Sequence, residues 1–173
     1  SYISASQALD DESSSPTWDV AAPDYSVDAQ TLPLNVSEGT WMNLDVSPDG
    51  RHIAFDMLGD IYQLPISGGK AEPLLSGHAW EIQPQYSPDG RFLAFTSDRN
   101  GADNIWVMDL SNPGNKQQIT HETFRLLNNP NWHPSGNYLV AKKHFTTSRS
   151  LGTGEVWLYD ANIDAGIARE NLS

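Results

Sequence analysis

The sequence contains no cysteine, which excludes disulfides and thiolate metal sites but leaves an oxidising compartment open. Nowhere do about 18 apolar residues run together, so no segment reads as a membrane-spanning helix. A basic stretch followed by an apolar core, the mark of a secretion signal, is missing too. If the protein is exported, the sequence reads as its processed form. Lys and Arg number only 10 against 22 Asp and Glu, and residues 1–39 hold seven of those acids with no Lys or Arg at all. Phosphate backbones and anionic lipid surfaces call for clustered cations, so nucleic acid and membrane are not expected partners.

Signatures of catalysis are also scarce. No Gly-X-Ser-X-Gly elbow and no Asp-X-Asp-X-Asp-Gly calcium loop occurs. The acidic run Asp10-Asp11-Glu12 lies in a Ser-rich head where solvation is its expected role. Gly68-Gly69 reads as a turn, because no helix follows it to cradle a phosphate. The five histidines, His52, His78, His121, His133 and His144, form neither His-X-His nor His-Glu-X-X-His. No catalytic residue, metal site or cofactor is assigned on these grounds.

What the sequence has is a repeat. Ser47-Pro48-Asp49-Gly50 returns 40 residues later as Ser87-Pro88-Asp89-Gly90, and after 46 more as His133-Pro134-Ser135-Gly136. Pro fixes φ at the second turn position, Asp or Ser bonds the local backbone, and Gly takes the positive φ. A period of this length, with 24 Gly and Pro punctuating short strands, is that of a β-propeller blade. Each turn joins an inner strand (Asn43–Val46, Gln83–Tyr86, Asn129–Trp132) to a more apolar second one (His52–Phe55, Phe92–Phe95, Tyr138–Ala141). Third strands follow at Ile61–Leu64, Ile105–Met108 and Val156–Tyr159, each with an aromatic in second place that is expected between blades. Outer strands are expected at Glu72–Leu75 and Gln117–Thr120, with none visible after Asp160.

The expected fold is all-β: a partial β-propeller of about three four-stranded antiparallel blades, residues 40–77, 78–121 and 122–160, within a region 40–173. Ahead of it lie a flexible acidic, Ser-rich segment (1–16) and an extended segment (17–39). In the latter, Trp18–Tyr25 reads as structured and Thr31–Val36 as an edge strand, confined there by Pro33. Closed propellers hold about four to eight blades. Three blades should therefore leave apolar outer faces that drive either pairing of two copies, a six-bladed ring being one form of it, or poor solubility.

Two groups of residues stand out as binding candidates. Asn43/Asp45, Gln83/Gln85 and Asn129/Asn131 alternate with apolar residues on the innermost strands, which places Asp45, Gln85 and Asn131 toward the central channel. Water lining, or a small polar ligand or peptide, are the roles open to them. The loops between second and third strands share one end of the blades with the inter-blade connections, and they lengthen along the chain. His78, Arg99, His121 and Arg125 lie on that end, where binding usually resides. His78 and His121 occupy equivalent connections, where a shared ligand is conceivable.

The motif Ser-Pro-Asp-Gly, with Ser97-Asp98-Arg99-Asn100-Gly101 and Asn104-Ile105-Trp106-Val107-Met108-Asp109, resembles the TolB-like, WD-repeat-like propeller repeat over about residues 40–160. Residues Glu38–Gly50, Phe55–Tyr62 and Trp18-Asp19-Val20 are similar to the N-terminal propeller of large exported bacterial proteins whose C-terminal domain is a metal-dependent amidohydrolase. That resemblance implies a periplasmic or secreted location. It also implies a non-catalytic propeller that gates access to the hydrolase and binds protein or peptide, the rest of its parent chain or a second copy. None of the hydrolase's metal ligands falls in this chain. The third copy departs by losing Ser and Asp from its turn. Two other readings remain open: a TolB-like interaction module in envelope transport, and the propeller of a prolyl-oligopeptidase-type or tricorn-like peptidase.

Overall fold

A computed structural model describes residues 35–145 and 154–161, together with Val20 and Pro33. The expectations for 1–16, for Trp18–Tyr25 and for a connection after Ala161 lie outside the described residues. So does most of the Thr31–Val36 segment, whose described members Pro33, Asn35 and Val36 are not in a strand.

Among the described residues, eleven strands form three antiparallel meanders. Blade 1 is β1 (Leu44–Val46), β2 (His52–Met57), β3 (Asp60–Pro65) and β4 (Glu72–Leu75). Blade 2 is β5 (Glu81–Tyr86), β6 (Phe92–Ser97), β7 (Asn104–Asp109) and β8 (Asn112–Gln118). Blade 3, among the described residues, is β9 (Leu127–Trp132), β10 (Tyr138–His144) and β11 (Gly154–Asp160). One outer strand departs from expectation: β8 starts at Asn112, not Gln117. The Asp109 carboxylate accepts from Ser111 N at 2.8 Å and Ser111 Oγ at 2.7 Å, which turns the chain at once and pairs Asp109 with Asn112. Thr120 lies beyond the strand, where its Oγ1 accepts from Ile105 N at 2.9 Å in place of a carbonyl.

The blades pack face to face around two cores. One holds Ala54 and Ile61 of blade 1 against Leu93, Phe95, Trp106 and Met108 of blade 2. The other holds Ala94, Ile105 and Val107 of blade 2 against Leu139, Ala141 and Tyr159 of blade 3, with Trp157 packed on it. Every residue of β6 is buried because that strand is covered on both faces, whereas burial along β2 and β10 alternates. Each blade thus has a leading face, carrying the aromatic of its third strand, turned toward the preceding blade. Trp106 and Trp157 are covered in this way. Tyr62, at the same position in blade 1, stacks on Phe55 (centroids 5.7 Å apart) on a face that no described residue covers.

The repeated turn works as its residues dictate. Ser47 Oγ donates to Asp49 Oδ1 (2.6 Å) and accepts from His52 N (2.9 Å), while Arg51 N donates to Asp49 Oδ1 (3.1 Å). Ser87, Asp89, Arg91 and Phe92 repeat the arrangement. In the third copy His133 Nδ1 bonds Ser135 Oγ at 2.8 Å, and that Oγ accepts from Asn137 N at 3.3 Å, so the turn survives without a carboxylate. Gly50, Gly90 and Gly136 take φ of 70°, 71° and 76°.

The Ser47 hydroxyl and Arg51 N–H hold the Asp49 carboxyl below its ordinary range. Burial pushes Asp89 up, but its bonds from Ser87 and Arg91 outweigh that and leave it lowered too. A carboxyl depressed by folding stabilises fully above the ordinary value of 3.8 and loses that contribution as pH falls through its lower folded value. Amide exchange at Arg51 and Arg91 is therefore expected to lose protection below about pH 4 before that at Asn137, checked by hydrogen-exchange NMR between pH 5 and 2. Simultaneous loss at all three would assign acid sensitivity elsewhere.

Candidate functional site

The innermost strands are tied to one another by side chains. Asp56, 3% exposed, accepts from Asn43 N (2.9 Å) and Asn43 Nδ2 (2.8 Å) within blade 1, and from Gln83 N (2.6 Å) of blade 2. Gln83 Oε1 in turn accepts from Thr96 Oγ1 (2.9 Å) and from Asn129 N (2.8 Å) of blade 3. Gln83 and Asn129 sit where β5 and β9 bulge, with φ of 60° and 55°, and this aims their N–H groups at the preceding blade. A second tier lies nearer the turns: Asp45 Oδ2 accepts from Tyr86 N (2.8 Å), and Gln85 O accepts from Trp132 Nε1 (3.1 Å).

The channel candidates accordingly have different neighbours. Asp45 is turned toward blade 2. Gln85 is partly buried and joins blade 3 through its backbone, and Asn131 is exposed with its Nδ2 donating to Asn129 O (3.3 Å). Among the described residues no hydrogen bond links the three side chains to each other. Sequence reasoning missed Asp56. Its signal was a carboxylate in the middle of the otherwise apolar run Ile53–Met57.

At the loop end, β2 and β3 are joined by Leu58 and Gly59, both with positive φ (56° and 87°), a two-residue turn of the type that suits strand twist. Glycine and asparagine fill such turns cheaply. Leucine does not, and here it stands exposed. The Trp80 ring covers Gly59 so closely that a Cβ there would lie 2.7 Å from it, yet Trp80 remains 45% exposed. The connection carrying Trp80 is pinned at both ends: Gly77 N donates to Asp60 Oδ1 (3.1 Å) and Trp80 N to Asp98 Oδ1 (2.7 Å).

Beside that connection, between the outer parts of blades 1 and 2, a cleft of about 340 Å³ is lined by His78, Glu81, Arg99 and Lys116, with Leu74 and Leu75 as an apolar wall. Arg99 pairs with the buried Glu81 and lies over the Trp106 ring (5.0 Å) and near that of Phe95 (5.8 Å). His78 and Arg99 therefore share a site. His121 and Arg125 belong to the next connection, after β8, and do not line this cleft. Among the described residues no three His, Asp or Glu side chains gather into a metal-holding group.

The TolB β-propeller domain model (PD40) matches residues 34–158. A 64-residue stretch is 39% identical to protein Atu1656 of Agrobacterium fabrum, covering 35% of this chain and 22% of that protein. Another, of 74 residues, is 32% identical to tricorn protease homolog 1 of Streptomyces coelicolor, covering 43% of this chain and 7% of that one. Among solved structures, a TolB from Agrobacterium tumefaciens superposes with a TM-score of 0.61 at 26% identity, over 78% of this chain and 50% of that chain. TolB from Acinetobacter baumannii gives 0.57 at 23% identity, over 75% and 31%, a likeness of fold alone. The chain spans half or less of the length of each of these relatives. With the repeat, the three meanders and the match over most of its length, the chain belongs to the TolB β-propeller (PD40) family.

Proposed function

We propose that this chain is a non-catalytic binding module that grips a protein or peptide at its loop end. One observation carries the reading. Trp41, Met42, Leu58, Trp80, Phe124 and Phe145 are exposed large apolar side chains, and all six lie at the end that holds the β2–β3, β6–β7 and β10–β11 loops and the inter-blade connections. At the opposite, turn end Val46 and Ile66 are the exposed large apolar side chains among the described residues. Apolar and aromatic groups held in water on a rigid scaffold are what a protein interface uses as anchors. The strained Leu58 fits this, since backbone cost is tolerated where it presents a side chain.

Peptides selected from a random display library against the chain test it. Their affinity is expected to fall about thirtyfold in Trp80→Ala, the loss of a central aromatic anchor, and to be unchanged in Ile66→Ala. Selected peptides indifferent to Trp80 and Phe124 would place binding elsewhere.

For the parent protein the reading is an exported, envelope-located one, in which further blades or a second copy cover the open faces. The propeller there gates an amidohydrolase domain, a reading supported by the resemblance of Glu38–Gly50 and Phe55–Tyr62 to such propellers. The stretch shared with the Streptomyces tricorn protease homolog supports a second reading, a peptidase propeller. A His-X-His motif in the adjoining reading frame favours the first, a Gly-X-Ser-X-Gly elbow the second, and neither favours a TolB-type interaction module.

A further inference from the structure

We infer that the cleft between blades 1 and 2 is a carboxylate-binding subsite, in which Arg99 and Lys116 receive an acidic group of the polypeptide held at the loop end. The inference rests on the loop-end reading above and specifies the chemistry of its partner.

The cleft holds two permanent cations, Arg99 and Lys116, against one carboxylate, Glu81, in a protein whose net charge is -12. Glu81 engages one edge of the Arg99 guanidinium, and Arg99 Nε donates to Ser97 Oγ at 3.3 Å. A guanidinium has five N–H donors, so three are not engaged by these bonds. Lys116 Nζ donates to Pro113 O at 2.7 Å, which likewise leaves two ammonium hydrogens for a ligand. Both cations are held by their surroundings: Arg99 by its rings and Glu81, Lys116 by β8. Burial lowers the pKa of both, and the charge of Arg99 lowers that of Lys116 further. An anion placed between them relieves that repulsion.

The charge count selects the ligand class. One excess positive charge matches a carboxylate, whereas a phosphate dianion would face the fixed Glu81 oxygens. The volume accepts a side chain or a chain end, at the small end of the range for ligand sites. Leu74 and Leu75 offer an apolar wall for the methylenes of a glutamate, and Trp80 stands next in the chain to cover a neighbouring apolar residue. The pinned connection between Gly77 and Trp80 keeps both parts in place before a partner arrives.

The test uses the full 173-residue chain and three N-acetylated peptides: Leu-Phe-Glu-Leu-Ala amide, its Gln analogue, and the Gln analogue with a free terminal carboxylate. Binding is followed by NMR at the Gly77 and Ala79 amides, the Arg99 Nε–H and the Trp80 indole N–H. The Glu peptide is expected to bind at least about tenfold more tightly than its Gln amide, as a charge-assisted bond in a partly dry cleft requires. The free-acid arm reports whether a chain end serves as the source instead, which also supports the subsite. Lys116→Gln, which leaves the Arg99–Glu81 pair intact, is expected to bring the preference to within about twofold. Equal binding of all three peptides, no binding of any, or a preference unchanged in Lys116→Gln overturns the proposal. If the Gln amide binds as tightly as the Glu peptide and both move the Trp80 indole, the loop-end reading stands without the subsite. If the Glu peptide moves the cleft resonances and leaves Trp80 still, the subsite stands and the loop-end reading fails.

Discussion

Replacing Asp56 with alanine is expected to remove about 3–5 kcal/mol of unfolding free energy, because three donors lose their acceptor at once and two of them are backbone N–H groups. Asn43 N, Asn43 Nδ2 and Gln83 N all end on this one carboxylate, and Gln83 belongs to the next blade. The penalty is not the value of three bonds alone but the added cost of leaving partly buried donors without an acceptor. Asp56→Asn should recover about half, since its amide group turns a donor toward donors. Thr96→Ala is the matched control. It occupies the same strand position in blade 2, yet Gln83 Oε1 keeps its bond from Asn129 N when Thr96 is gone, so a cost of about 1 kcal/mol is expected. Urea titration gives the ranking, with an unchanged slope showing that the native state is still compact. An Asp56→Ala protein no less stable than Thr96→Ala would mean that the blades are joined by their apolar faces alone.

The repeat made the strands legible, and the reason is local. Ser-Pro-Asp-Gly and its degraded copy complete their hydrogen bonds within five residues, so the sequence states the turn and the turn sets the strands on either side. The apolar run Phe92–Phe95 likewise matches a strand that is buried along its whole length. The ties between blades were not legible, because Asp56 meets Gln83 across 27 residues and Gln83 meets Asn129 across 46. Nothing in a strand's own alternation says that a bulge will turn its N–H sideways. For the same reason the bond from Tyr86 N to Asp45 Oδ2, across 41 residues, was not legible. Start residues of outer strands depend on how fast a turn closes, and Asp109 closes the one before β8 sooner than the Gln-rich stretch suggested. The site was half legible. His78 and Arg99 could be assigned to one end from topology, but Lys116, on an outer strand, enters their cleft only when blades 1 and 2 are packed together.

The open faces give the other large expected effect: the chain should pair with a second copy, head to tail. The leading face of blade 1 presents Ile53, Phe55, Tyr62 and Leu64, with Leu44 58% exposed. Those four positions are the equivalents of Leu93, Phe95, Trp106 and Met108, all buried against blade 1. The trailing face of blade 3 presents Val140, Leu158 and Val156, the last 76% exposed, at the positions where blade 2 buries Ala94, Val107 and Ile105 against blade 3. A leading face therefore already has a known mate within the same chain, and it is a trailing face. Sedimentation velocity is expected to show a dimer at micromolar concentration. Leu44→Glu and Val156→Glu should each weaken it at least about a hundredfold, by placing an unpaired charge in an apolar contact. Neither residue is buried in the monomer, so neither change should unfold it. Pairing through two leading faces would instead be broken by Leu44→Glu alone. Mixing the two variants separates the cases further. In a head-to-tail ring, one of the two junctions of a mixed pair joins an unaltered leading face to an unaltered trailing face, so association should return in the mixture though each variant alone is monomeric. A wild-type chain that stays monomeric at about 100 µM, well above the dissociation constant expected of an interface of standard size, would show that these faces are covered some other way.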